Sequence, residues 1–250
     1  MYNPSPHGPC WIELSSPDTT AAQEFYGPLF GWDFTEPGPM GFGVKAMIGK
    51  AAVAGISPQP EQAPAGQPAF WSVYFRADDL TDLLSRAEDA DGQAMMAIPE
   101  FDGTAGVALL ADPAGTAFGI LDYDDDRGFT GAGMPGAPSW FELHTKDFGV
   151  RTFYEAVFGW SFETVSDSDD FRYATFMHDG RATGGVLDAS RVGIPAHWES
   201  YIQVEDTDET ARLVRQLGGD WLAQPHDSVH GRVGRFIDAQ NGAFTVIQPH

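Results

Sequence analysis

Two carboxylates and a histidine stand where proton chemistry is expected. Glu142 and His144 lie two apart in Trp140-Phe141-Glu142-Leu143-His144. In a strand that spacing puts Trp140, Glu142 and His144 on one face and Phe141 and Leu143 on the other. A carboxylate in an apolar cavity beside an imidazole can act as an acid/base pair. Glu13 stands in the same relation to Trp11 in Trp11-Ile12-Glu13-Leu14, but Ser15 follows where the later segment has His144. The later segment is therefore the better candidate for chemistry, with Glu142 and His144 as the expected catalytic residues. A second reading makes both glutamates structural carboxylates paired with Arg or Tyr. Trp11, Trp71, Trp140 and Trp198 suggest aromatic cavity walls suited to flat, conjugated or cationic ligands, with core filling as the alternative. Glu13, Tyr201, three after Trp198, and Arg235, in Gly231-Arg232-Val233-Gly234-Arg235, complete the expected ligand contacts. Arg235 suits a carboxylate or phenolate. His197, His226 and His230 also belong to the later half, and loop histidines are mostly exposed and inert. No P-loop, dinucleotide fingerprint, Ser/His/Asp arrangement or cysteine-based zinc spacing occurs.

The elements that hold these residues occur twice. Trp11-Ile12-Glu13-Leu14 returns as Trp140-Phe141-Glu142-Leu143, Phe25-Tyr26 as Phe153-Tyr154, and Phe30-Gly31-Trp32 as Phe158-Gly159-Trp160. Pro68-Ala69-Phe70-Trp71 returns as Pro195-Ala196-His197-Trp198. The offset is about 128 residues, a domain length rather than a solenoid period. The division expected is domain 1 over 1–123, a linker over 124–138 marked by Asp124-Asp125-Asp126 and a Gly/Pro/Ala-rich stretch, and domain 2 over 139–250. In each copy a strand leads into a helix capped by Asp18 or Asp147, and Gly31 or Gly159 follows that helix. Strands near 42–48 and 51–57 follow, then a second strand, a helix over about 80–90, and three more strands. The pattern gives four βαβββ modules, two per domain.

Net charge is −22 with pI near 4.3, which argues against nucleic acid, whose phosphates would be repelled. No apolar run reaches about 18 residues, so no membrane span is expected. The start, Met1-Tyr2-Asn3-Pro4-Ser5-Pro6, has neither a basic nor an apolar segment, and the single Cys10 precludes an internal disulfide. A cytoplasmic protein is the expectation.

Three features together resemble the glyoxalase/bleomycin-resistance/dioxygenase (vicinal oxygen chelate) superfamily, in its tandem actinobacterial form. They are the strand, Asp and helix ending Phe-Tyr-(x3)-Phe-Gly-Trp; the acidic pairs Asp78-Asp79 and Glu205-Asp206 entering the second helices; and the closing turn Asp112-Pro113-Ala114-Gly115, degenerate as Asp238-Ala239-Gln240-Asn241. The resemblance implies an α+β fold of two tandem glyoxalase-like domains, each made of paired βαβββ modules curled around a cavity. It also implies a divalent metal in catalytic members. Its ligands come seven residues before the capping acid of each module and from the last strand. Counting back from Asp18, Asp147, Asp78 and Glu205 gives Trp11, Trp140, Trp71 and Trp198; the last-strand positions fall at Gly119 and Thr245. Indole and glycine offer no ligand, so no metal and no other cofactor is expected. Glu13, Glu142, His144 and His197 lie within one or two residues of those places, and a shifted register would restore a ligand.

The resulting expectation is a metal-independent small-molecule protein. It acts on an aromatic or polyketide-like metabolite of antibiotic biosynthesis by acid/base chemistry, as a lyase, isomerase or hydroxylase-like tailoring enzyme. The alternatives are an antibiotic-sequestering resistance protein and a metal-dependent glyoxalase or dioxygenase. Partners are an aromatic or cationic small molecule, with no nucleic acid and no membrane. A tandem chain can satisfy internally the pairing that single-domain relatives make as dimers, so a monomer with an internal pseudo-dimer is expected.

Overall fold

In each half of the chain, strand alternation and helix caps build the same sheet. The computed structural model describes residues 4–38, 43–101, 105–123, 128–190 and 193–250. The first half runs β1 (Pro9–Ser16), α1 (Thr19–Phe30), β2 (Asp33–Phe34), β3 (Val44–Ile48), β4 (Ala51–Pro58), β5 (Phe70–Ala77), α2 (Leu80–Asp89), β6 (Gln93–Phe101), β7 (Ala105–Ala111) and β8 (Ala117–Tyr123). The second runs β9 (Pro138–Thr145), a 3-10 turn (Phe148–Val150), α3 (Arg151–Phe158), β10 (Ser161–Asp167), β11 (Arg172–His178), β12 (Arg181–Asp188), β13 (His197–Gln203), α4 (Thr207–Gln216), β14 (Asp220–Ser228), β15 (Gly231–Ile237) and β16 (Ala243–Pro249). Each half forms one 8-stranded sheet, ordered β2-β3-β4-β1-β5-β8-β7-β6 and β10-β11-β12-β9-β13-β16-β15-β14. Within a module the first and last strands pair in parallel, and the two modules join antiparallel through β1/β5 or β9/β13. Each half is thus an α+β unit of two βαβββ modules, the architecture expected.

Local chemistry sets the helix ends. Asp18 accepts from the backbone N–H groups of Thr20 and Ala21, and Gly31 ends α1 in the left-handed region at φ 68°. Asp79 caps α2 and Asp206 caps α4. The capping acids are thus the second members of the Asp78-Asp79 and Glu205-Asp206 pairs, one residue later than the positions used to count ligands. Asn241 takes the left-handed place (φ 61°) that Gly115 holds in the first copy.

The helix-bearing faces of the two sheets turn towards one another and share an aromatic core. Phe75 of β5 lies 4.9 Å from Trp198 of β13 between ring centroids, and Phe25 of α1 lies 6.0 Å from Phe244 of β16. The hydroxyl of Tyr26 donates to Asp238 at 2.8 Å, and that of Tyr154 to Asp112 at 2.9 Å. The repeated Phe-Tyr pair and the repeated Asp turn are therefore partners across the two halves. Of the linker expected over 124–138, residues 124–127 lie outside the described residues and Pro138 opens β9. Phe129 and Ala137 are buried, and Phe129 and Thr130 donate backbone N–H groups to Cys10 and Ala52.

Candidate functional site

β9 and β13 lie side by side, and alternation sends every second side chain to the face away from the helices. Their antiparallel register sets Trp140 against Tyr201, Glu142 against Glu199, and His144 against His197. Parallel pairing with β16 adds Thr245 beside Tyr201, and β15 places Arg235 against Thr245. Glu142, His144 and Glu199 are buried. His197 and Arg235 are the more open members, with side chains 33% and 23% exposed.

The contacts form one network. The Nε2 edge of His144 lies 2.7 Å from Glu142 Oε1, so that nitrogen carries the proton. Glu142 also accepts from the hydroxyls of Tyr173 at 2.8 Å and Tyr201 at 3.1 Å. Burial, then the charge of Glu142, pushes both phenols far above their usual range, which keeps them protonated donors. Glu199 accepts from Thr245 Oγ1 at 2.6 Å, and its Oε2 lies 3.2 Å from Arg235 Nη2, 3.3 Å from His197 Nε2 and 3.9 Å from His144 Nδ1. Burial raises the Glu199 carboxyl, but the His197 hydrogen bond and the charge of Arg235 more than offset it, holding it down at about 2. His144 therefore sits between two carboxylates, with Nδ1 buried and, among the described residues, without a hydrogen-bond partner. An imidazole oriented by a carboxylate on one nitrogen, with its other nitrogen unbonded, has the chemistry a general base requires.

Not all the aromatic residues belong here. Trp140 does: its Nε1 donates to Tyr173 at 3.3 Å and its ring stacks on His230 at 6.4 Å. Trp71 and Trp198, expected as cavity walls, lie on the opposite face. Their indole N–H groups donate to Tyr26 and Tyr154 within the shared core. Strand parity is the reason, since each stands one residue from the open-face series. In the first sheet, Trp11 donates to Glu13 at 2.6 Å, Ser57 donates to the other oxygen, and Lys45 lies 5.9 Å over the Trp11 ring. Burial raises the Glu13 carboxyl, and these donors and the Lys45 charge pull it back. Glu13 is thus a satisfied carboxylate. The positions equivalent to His144, His197, Glu199, Thr245 and Arg235 hold Ser15, Phe70, Ser72, Gly119 and Leu109, so the network exists only in the second sheet. A polar groove of ≈ 500 Å³ beside the 3-10 turn shares no residue with it, and its Arg172 is already paired with Asp167 and Asp188.

Sequence reasoning missed Glu199 and Tyr173. Counting seven back from the true cap, Asp206, lands on Glu199 and not on Trp198; the same correction turns Trp71 into Ser72. The expectation that the counted positions offer no ligand is therefore corrected at Glu199. His144, His197 and Glu199 each offer a donor atom, all within 4.8 Å of one another, which is the donor chemistry of a two-histidine, one-carboxylate metal centre. Arg235 Nη2, however, stands 3.2 Å from Glu199 Oε2 and 3.4 Å from His197 Nε2, engaging two of those three atoms with a permanent cation.

The comparisons agree with this architecture. The family model described as Glyoxalase/Bleomycin resistance protein/Dioxygenase superfamily matches residues 10–120. CFP32 of Mycobacterium tuberculosis (strain CDC 1551 / Oshkosh) is 35% identical, across 96% of this chain and 94% of its own. The anthracycline biosynthesis protein DnrV of Streptomyces peucetius is 32% identical, across 98% of this chain and 94% of its own. Among solved structures, 2,2',3-trihydroxybiphenyl 1,2-dioxygenase from Sphingomonas wittichii strain RW1 superposes with a TM-score of 0.66 at 13% identity, covering 98% and 91% of the two chains. The Mn(II)-bound glyoxalase from Novosphingobium aromaticivorans gives 0.62 at 14% identity, covering 96% and 82%. At such identities these two structures establish the fold alone. With a full-length relative at 35% identity and the two-sheet fold in place, the chain belongs to the glyoxalase/bleomycin resistance protein/dioxygenase superfamily.

Proposed function

We propose that the second sheet of this protein is a metal-independent acid/base site acting on a hydroxylated, polycyclic aromatic metabolite of antibiotic biosynthesis. The observation that carries the proposal is the buried Glu142–His144 pair. Glu142 holds the imidazole through Nε2 and supports the positive charge that forms on protonation, and Nδ1 is left without a partner to take a proton from carbon or oxygen. Tyr173 and Tyr201 fix Glu142 in turn. Arg235, on the more open side, offers N–H donors to the oxygen on which negative charge develops when an enolisable ketone or phenol loses its proton. Trp140 and His230 supply a stacking wall. The similarity to the anthracycline biosynthesis protein DnrV supports the substrate class.

The test is turnover of polyketide-derived anthracyclinone precursors, followed by liquid chromatography and mass spectrometry. Loss of turnover in Glu142→Gln and His144→Ala, with Ser72→Ala of the first sheet unaffected, supports the proposal. Unchanged turnover in either of the first two variants refutes it. We infer further that the protein works as a cytoplasmic monomer, its two halves meeting through the core that Tyr26 and Tyr154 cross. Size-exclusion chromatography with light scattering measures the monomer directly.

A further inference from the structure

The second sheet contains donors for a metal ion and a side chain that occupies them. His197 Nδ1 lies 2.8 Å from the carbonyl of Pro195, which can only accept, so this nitrogen donates there and Nε2 is the ring atom turned to the cluster. That Nε2 stands 3.3 Å from Glu199 Oε2. Arg235 Nη2 lies against both, at 3.4 Å from the nitrogen and 3.2 Å from the oxygen. The third donor atom, His144 Nδ1, is buried, has no hydrogen-bond partner among the described residues, and lies 3.9 Å from the same Glu199 oxygen. Two carboxylates, Glu142 and Glu199, stand against the single guanidinium of Arg235, and carboxylates attract a further cation. The first sheet shows the same logic by subtraction. Where Leu109 replaces Arg235, Ser72, Phe70 and Ser15 replace Glu199, His197 and His144, so cation and donors are present together or absent together.

We propose that Arg235 is the resident cation of this site, and that it closes to divalent metal a His144/His197/Glu199 centre which its removal opens. A guanidinium offers donors but no coordination position. A substrate oxygen therefore meets an N–H group where metal-using relatives of this fold would present an ion. The inference shares its site with the proposed function but is read by metal binding alone, so it stands or falls separately from turnover.

The experiment is a Co²⁺ titration of the metal-free, tag-free full chain, followed by visible d–d absorption and equilibrium dialysis. Wild type and Arg235→Lys, which retains a cation, are expected to bind no ion at this site. Arg235→Leu, the residue the first sheet carries at the same register, and Arg235→Gln are expected to gain about one tightly held ion per chain. Adding His144→Ala or Glu199→Gln to either variant should abolish that gain. Near-ultraviolet circular dichroism establishes that each variant is folded, and the two substitutions guard against a loss of fold in one of them. Co²⁺ binding by wild type that depends on His144 and Glu199 overturns the proposal, as does a folded Arg235→Leu or Arg235→Gln protein that binds none.

Discussion

Replacing Glu199 by Gln removes a buried charge while keeping the size of the side chain and an acceptor for Thr245. In the folded protein the Glu199 carboxyl is held down from 4.5 to about 2. The side chain is 5% exposed, so solvent screening takes little from the interaction. A downward shift of that size corresponds to about 3 kcal/mol of stability. The sign follows from proton binding. Between the two values the unfolded chain binds the proton and the folded one does not, so the stabilisation is full above the unfolded pKa and is lost as pH falls through the folded one. Glu199→Gln should therefore be about 3 kcal/mol less stable than wild type near pH 7, a large share of a typical folding free energy of about 5–15 kcal/mol. The gap should hold down to about pH 5 and narrow steadily below it. Urea unfolding followed by tryptophan fluorescence at a series of pH values measures this. Both proteins share the other 35 acidic residues of the 36 in the wild-type sequence, so the general acid sensitivity of an acidic chain cancels in the difference. Equal stability near pH 7, or a gap that stays constant down to about pH 3.5, refutes the reasoning.

Three other outcomes are expected. Tyr154→Phe and Tyr26→Phe each remove a donor from a buried Asp of the other half, and each should cost about 1–3 kcal/mol in chemical denaturation. Gly185→Ala would place a Cβ 1.9 Å from the Tyr173 hydroxyl. The phenol must then leave Glu142, and turnover should fall while the protein stays folded; a crystal structure showing the Tyr173–Glu142 bond intact would contradict this. Tyr201→Phe removes one of the two phenolic donors to Glu142 and leaves the other. It should lower turnover by about tenfold, less than His144→Ala, in steady-state kinetics.

The repeat, the four βαβββ modules and the first-turn caps were legible because they rest on local signals: Asp before an amphipathic run, Gly at the left-handed end, and alternation along β1 and β9. The Glu142–His144 pair was legible for the same reason, as both residues lie on one strand. Glu199 was not, because a pair of adjacent acids precedes α4 and only the cap geometry tells which of Glu205 and Asp206 accepts from the helix N–H. One residue of error there exchanges the two faces of β13, which is why Trp198 was placed in the site and Glu199 left out. Tyr173 was invisible for another reason. It comes from β11, and only the pairing of β11 with β12 and of β12 with β9 brings its hydroxyl to Glu142. The partnership of Tyr26 with Asp238 likewise depends on how the halves meet, which no local pattern encodes.

In the proposed reaction His144, held by Glu142, moves a proton to and from a bound aromatic metabolite. Solvent exchange reads that step directly. An enolisable anthracyclinone precursor is incubated with the protein in deuterium oxide, and deuterium uptake at the acidic carbon is followed by nuclear magnetic resonance. Exchange well above the buffer rate is expected with wild type and with Ser72→Ala, and exchange at the buffer rate with His144→Ala and Glu142→Gln. Exchange that never exceeds the buffer rate, or that persists without His144, would contradict it.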